Sequence, residues 1–449
     1  MVFKMKTNME AAAFKNEPGL IVGIPHVAWI LSFLSLFSIM MKSGQGIVVM
    51  SAANAFRIGT LSLACAIAVF FILFRRRGFV RLTTGPTLLL LIYAAIGIIS
   101  GVYATEPFYA LWKAMEVLTD VLILGAVLSY EDSRRSANGL YVVALITFIV
   151  LLFSVLAGVV IAPGEAITEA RGTLPIQIRG LLPPINANGV AFLAAFVGLA
   201  SIVRCLRYGS KRRRLSWLCV SSIAVVILIF AQSRTSFVGF LVSLVVFLWA
   251  NKRKKLLLVL IALIVIIMSF AMIRDIVTGY VQRGQSMELA MKLSGRTRAW
   301  KAAWNLISES PYLGKGFASA ARFDVLKGGH VSTLHGSIFD VLAGVGMLGF
   351  IPWIGAITLT TFRVYRPRGW NPRRPRGSGN LSIYAEMLAV MTLILIRAIT
   401  SSGLALHDHT FMLFIAMVAV ASSSEKDLSA VSPHPTRKFA RQWTKSTVI

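Results

Sequence analysis

Apolar residues in this chain are gathered into runs and are not dispersed. They recur at 26–42, 58–74, 85–104, 108–130, 138–161, 187–204, 215–231, 236–250, 255–273, 334–360, 382–403 and 409–423. Most have the length of helix, roughly 17 to 25 residues, that crosses about 30 Å of hydrocarbon. The pattern predicts an all-α polytopic membrane protein with about 12 transmembrane helices. No small-residue cleavage pattern follows the first run, so it reads as the first span and not as a signal peptide.

The polar connections then orient the spans. "FRRRGFVR", "EDSRR", "RYGSKRRR", "NKRKK" and "RVYRPRGWNPRRPRG" all fall on one side. The short connections on the other side hold Lys42, Arg57, Arg171, Arg179 and Arg234. Lys and Arg concentrate on the cytosolic face. This places an N-terminal segment (1–25) and a basic tail (424–449) in the cytosol, spans 1–9 within 26–273 and spans 10–12 within 334–423. A long outer loop over 274–333 separates the two sets. Within it, Ala299, Trp300, Ala303, Trp304 and Ile307 recur at helical spacing. Ser308 to Lys315 then supplies Pro and Gly breakers, so the loop is expected to hold an amphipathic helix followed by a turn.

Composition agrees with this picture. Of 449 residues, 56% are hydrophobic and only 14% charged, and mean hydropathy is +0.74. That is too little charge to cover a soluble protein of this size. A net charge of +28 would otherwise suit nucleic acid. Here the basic blocks lie between apolar runs, which excludes that class. Cys65, Cys205 and Cys219 lie in or beside apolar runs without a CxxC, and they make no disulfide framework.

Charge in or beside a bilayer is costly and marks candidate chemistry. The long outer loop carries nine Lys or Arg against four Asp or Glu, an excess that an anionic substrate would explain. Arg234 stands at the tip of a tight hairpin between two short spans, and its planar fork of donors suits phosphate. Arg179 precedes the irregular entry "GLLPPINANG", where Asn186 and Asn188 either cap the next helix or meet sugar hydroxyls. Arg296 opens the amphipathic helix, with Trp300 one turn on as a sugar platform or an interfacial anchor. His335 enters the tenth run directly after the Arg-rich loop, placed to take a proton from an attacking hydroxyl. Lys113, Glu116 and Asp120 share one helix face as a self-neutralising cluster, with Arg397 as a further partner. His407, Asp408 and His409 are too close in sequence to converge readily on one ion. No Walker A, GxSxG, HExxH or DxD-like signature occurs, so neither a metal nor a cofactor is expected.

Four segments, in order, resemble the O-antigen ligase and polymerase superfamily of bacterial envelope glycosyltransferases. "RGLLPPINANGVAF" is similar to its Arg-Gly segment with Asn-x-Asn, and "SRTSFVGFLVSLVVF" to its Ser-Arg hairpin. "GRTRAWKAAWNLISESPYLGKGF" is similar to its Gly-Arg-x-x-x-Trp helix with Pro-x-x-Gly-x-Gly. "HGSIFDVLAGVGMLGF" is similar to its His-Asn-x-x-Leu segment ending in Gly-x-x-Gly, except that Gly336 replaces the usual Asn. The resemblance implies metal-independent transfer at the periplasmic face of the inner membrane. The donor would be an undecaprenyl-diphosphate-linked glycan, and the acceptor another glycan (polymerase, the first reading) or lipid A–core (ligase). It implies that Arg179, Arg234 and Arg296 hold the diphosphate, that Asn188 and Trp300 contact substrate, and that His335 is the base. Partners in polysaccharide export would follow. A reading from another class is a lipid-linked glycan flippase, which predicts charged residues along both halves of the bundle.

Overall fold

The computed structural model describes residues 20–37, 52–169, 174–207, 210–269, 279, 296–325, 334–365 and 381–423. A helix stands on each of the twelve apolar runs. In chain order they are α1 (Ile24–Ser35), α2 (Ala52–Phe74), α3 (Gly85–Ile99), α4 (Pro107–Leu128), α5 (Ser133–Ile161), α6 (Ala187–Arg207), α7 (Lys211–Phe230), α8 (Arg234–Ala250) and α9 (Lys254–Ser269). The amphipathic segment forms α10 (Arg296–Glu309), and α11 (Ser337–Tyr365), α12 (Leu381–Thr400) and α13 (His409–Ser422) complete the set. Among the described residues, seven helices are long and apolar enough to cross a membrane, and α1, α8 and α13 are shorter apolar helices. This is an all-α integral membrane protein. Lys42, Arg171, the tail over 424–449 and parts of the N-terminal segment and of the outer loop lie outside the described residues.

Local chemistry sets many of the boundaries. Proline occupies the first turn of α1, α3 and α4, where its missing N–H costs nothing. Asp132 caps α5 by accepting from Arg135 N at 2.9 Å, and Asp408 caps α13 by accepting from Thr410 N at 2.9 Å. Asn186 accepts from Gly189 N at 2.8 Å, so the first Asn of the pair caps α6. The bundle packs α6 on α7, α8 on α12, α3 on α11 and α1 on α2. Every residue of α13 is buried, which is why that helix is apolar all round. Of the apolar stretch of α6, 78% is buried, against 22% for α7. The interior therefore runs along α6 and α13, and α7 faces outward.

The expected outer turn after α10 does more than turn. α11 breaks at Gly346 (φ 59°, ψ −162°), which frees backbone groups inside the bundle. Residues 311–316 satisfy them. Lys315 N donates to Ala343 O (2.9 Å) and Gly316 N to Gly344 O (2.8 Å), while Met347 N donates to Pro311 O (2.9 Å) and Leu348 N to Tyr312 O (3.1 Å). A Cβ on Gly314 would sit 2.4 Å from Gly344 O, and one on Gly346 would sit 2.3 Å from Tyr312 O. The Pro-x-x-Gly-x-Gly and Gly-x-x-Gly segments are two halves of one backbone joint. Irregular backbone at such depth persists only where protein satisfies it.

Two further elements hold the outer end, defined here as the end opposite the basic connections. A hairpin of β1 (Ile167–Glu169) and β2 (Ile176–Ile178) pairs antiparallel. It is latched to the α7–α8 turn, because Gln232 Nε2 donates to Ile176 O at 2.7 Å and Gln177 Nε2 to Ala231 O at 3.1 Å.

Candidate functional site

Four helix ends meet at the outer end and place the candidate residues. Arg234 begins α8, Arg296 begins α10, His335 sits two residues before α11, and Asn188 lies in the first turn of α6. The C-terminal turn of α12 joins them. Arg397 Nη1 donates to Asn188 O (3.1 Å) and Ser236 Oγ (3.3 Å), its guanidinium lies 4.4 Å from the centre of the Phe192 ring, and Thr400 Oγ1 donates to Thr235 Oγ1 (2.9 Å).

The electrostatics of the cluster are cation against cation. Burial, and then the charge of Arg234, push the Arg296 guanidinium below its usual range. Burial, and then the charge of Arg296, hold the His335 imidazole below 6.5. Arg397 also feels Arg296. Arg234, Arg296, Arg397 and His335 therefore share one field. Asp408 stands behind Arg397. Burial alone would raise its carboxyl, but the hydrogen bond and charge of His409 and the charge of Arg397 hold it well below the carboxylate range.

His335 has a left-handed backbone, φ 54°. For a residue with a Cβ this costs about 1–2 kcal/mol and needs support from its surroundings. Leu334 supplies it. Its N–H donates to Asp340 Oδ1 at 3.2 Å, and its carbonyl accepts from Trp300 Nε1 at 3.0 Å. Trp300 also stacks on Phe339, with centroids 5.2 Å apart and planes 18° apart. The Trp300 indole is thus a clamp on the His335 turn. A Cβ on Gly336 would lie 3.2 Å from Trp300 Nε1 and Phe339 Cδ2 and 3.3 Å from Ile399 O. This packing is tight enough to favour glycine where the resembled family has Asn.

The remaining candidates fall elsewhere. Arg179 is exposed, and its Nε donates to Glu165 O at 2.6 Å, so it braces the outer hairpin beside the Arg234 turn. The Asn188 side chain is exposed on the rim of the cluster. Arg397 does not partner the α4 cluster, a correction to the sequence reading. Glu116 instead pairs with Arg57 and with Lys113 Nζ (3.1 Å). Asp120 Oδ2 pairs with His407 Nδ1 (2.7 Å). His407 turns away to Asp120, while Asp408 caps α13 and lies 3.7 Å from His409 Nδ1, and the His409 ring packs against Phe33 and Phe37. Asp340 and Ser337 were missed. A first-turn Asp and Ser in a greasy helix give little local signal.

The fold and this cluster define an integral membrane protein with a polar, cation-lined centre at one end of its helices. A family model described as O-antigen ligase matches residues 219–354. The match supports the O-antigen ligase and polymerase superfamily for this chain. It spans Arg234, Arg296, Trp300 and His335, and it ends short of Arg179 and Asn188 on the N-terminal side. No curated protein matches the chain.

Proposed function

We propose that this protein transfers a glycan from a lipid diphosphate to a sugar hydroxyl at the outer, periplasmic end of its helices in the bacterial inner membrane. The observation that carries the reading is the convergence of Arg234, Arg296 and His335 within the family-matched segment. Neighbouring cations repel one another, and the charge of a diphosphate would offset that repulsion. His335 takes the proton of the acceptor hydroxyl as the new C1–O bond forms. The bond from C1 to the diphosphate breaks, and the departing charge is held by Arg234 and Arg296. Burial and Arg296 favour neutral His335, the form a base needs. Fixed guanidinium groups would do here what a metal ion does in other diphosphate-using transferases.

Joining two carrier-linked glycans is the first reading of the acceptor. The second reading is attachment to lipid A–core, and the family match suits either. Reconstitution with an undecaprenyl-diphosphate glycan in chelator, offered either more donor or lipid A–core, tests both readings. His335→Ala is expected to cut turnover by at least about 100-fold at normal protein level, to a small residual rate; near-normal product would sink the mechanism. Transport of the donor without any transfer product would point to the flippase instead.

A further inference from the structure

The loop over residues 401–408 lies between the His335 turn and a polar group deep in the bundle, and side chains grip it from both sides. On the near side Ser337, two residues after His335, donates through Oγ to Ser401 O (2.7 Å) and accepts from Leu404 N (3.3 Å). In the middle Trp353 Nε1 donates to Leu404 O (3.0 Å) and the Tyr93 hydroxyl to Ala405 O (2.7 Å). On the far side His407 is fixed at both ring nitrogens, by Asp120 Oδ2 at 2.7 Å and Ser35 Oγ at 3.0 Å. Asp120 Oδ1 accepts from Ser32 Oγ at 2.7 Å. Asp120, Ser32 and Ser35 are fully buried and His407 is 5% exposed.

A buried carboxylate–imidazole pair between apolar helices is costly, and well-packed apolar side chains would often fill such a space with no loss of stability. Its geometric effect here is specific. It fixes the far end of a strap whose near end is hooked to the first residue of α11. His335 holds a left-handed backbone two residues before that hook, so movement of the strap is expected to move the imidazole. Bonds of this kind set productive geometry without touching substrate.

We propose that Asp120, His407 and Ser337 are positioning residues for His335, acting through the 401–408 strap. The inference rests on His335 being the base of the proposed transfer. It predicts a loss in turnover with donor binding spared, because the arginines that hold the donor are carried by α8 and α10.

The test uses the full-length protein in lipid with an undecaprenyl-diphosphate glycan, measuring kcat and donor KM well below the unfolding midpoint. His407→Ala and Ser337→Ala are each expected to lower kcat roughly tenfold or more, with KM within about twofold. His407→Gln, which retains a hydrogen bond toward Asp120, is expected to recover part of the rate. In a His335→Ala background, neither strap substitution should lower the residual rate further. Unchanged kcat in folded Ser337→Ala, or an equal loss in the His335→Ala background, overturns the positioning role and leaves the proposed transfer standing. Full turnover by His335→Ala overturns both. If His407→Ala does not fold, Ser337→Ala still decides, since it removes one hydroxyl from the same strap.

Discussion

Two groups of charge occupy the outer half of this protein, and they are built on opposite plans. Around α4, Glu116 sits between Arg57 and Lys113, and Asp120 is locked to His407. Each acid there has a base, and each base an acid. At the mouths of α8, α10 and α11 the arrangement sets Arg234, Arg296 and His335 against one another. Asp408 acts on this group through Arg397, and Asp340 braces the His335 turn through Leu334 N. The first group is complete as folded. The second sets like charges side by side, an arrangement that suits an anion. Both would look like intramembrane charge in a sequence scan, and the balance of signs distinguishes them.

The widest break in the comparison comes from removing one charge from each group. Glu116→Ala leaves Arg57 and Lys113 largely buried without their carboxylate and is expected to destabilise the protein by about 3–5 kcal/mol. Arg296→Gln removes a repulsion, so its unfolding midpoint in detergent should hold or rise while turnover falls about 100-fold. Equal loss of stability in both variants would erase the distinction between the two groups.

A smaller effect is expected at the backbone joint beneath the second group. Gly314 has φ 70°, and a Cβ there meets Gly344 O. Gly314→Ala should cost about 1–3 kcal/mol and loosen the segment that carries the His335 turn. The cost should appear in unfolding and in turnover together. A variant with a wild-type midpoint would show that the 311–316 insertion does not hold α11.

The helices were legible in the sequence because apolar runs of spanning length have few alternatives in a chain so poor in charge. The rise of Arg234, Arg296 and His335 to one end was legible too, since each begins or adjoins a helix on the same side of the charge alternation. Pairing across the chain was not. Glu116 meets Arg57, 59 residues away, and Asp120 meets His407, 287 residues away. Local spacing carries no trace of either; Arg397, the partner that the sequence suggests, bonds Asn188 O and Ser236 instead. The glycines of "AGVGMLGF" would also suit close approach of a neighbouring helix. They admit the backbone of residues 311–316 instead, because a helix break presents free carbonyls that another helix could not satisfy. Trp300 read equally well as a sugar platform, and only the bond from its indole to Leu334 O shows a clamp.

The finest test concerns pH, and its sign follows from the field of the second group. His335 acts as a base only when neutral, and it is neutral above its pKa. Burial and Arg296 both hold that pKa below 6.5, so the rate should persist below pH 6.5 and fall only as the pH drops through the lowered value. Arg296→Gln removes the smaller of the two causes. The acid limb should therefore move upward while remaining below 6.5, because burial, the larger cause, is untouched. Arg234→Gln acts on Arg296 and not directly on His335, so its limb should move less. All three proteins are compared on one donor and one acceptor, so ionisation of the substrates cancels. Coincident acid limbs for the wild type and Arg296→Gln would mean that Arg296 and His335 do not share a field, and the cluster would then be two separate sites.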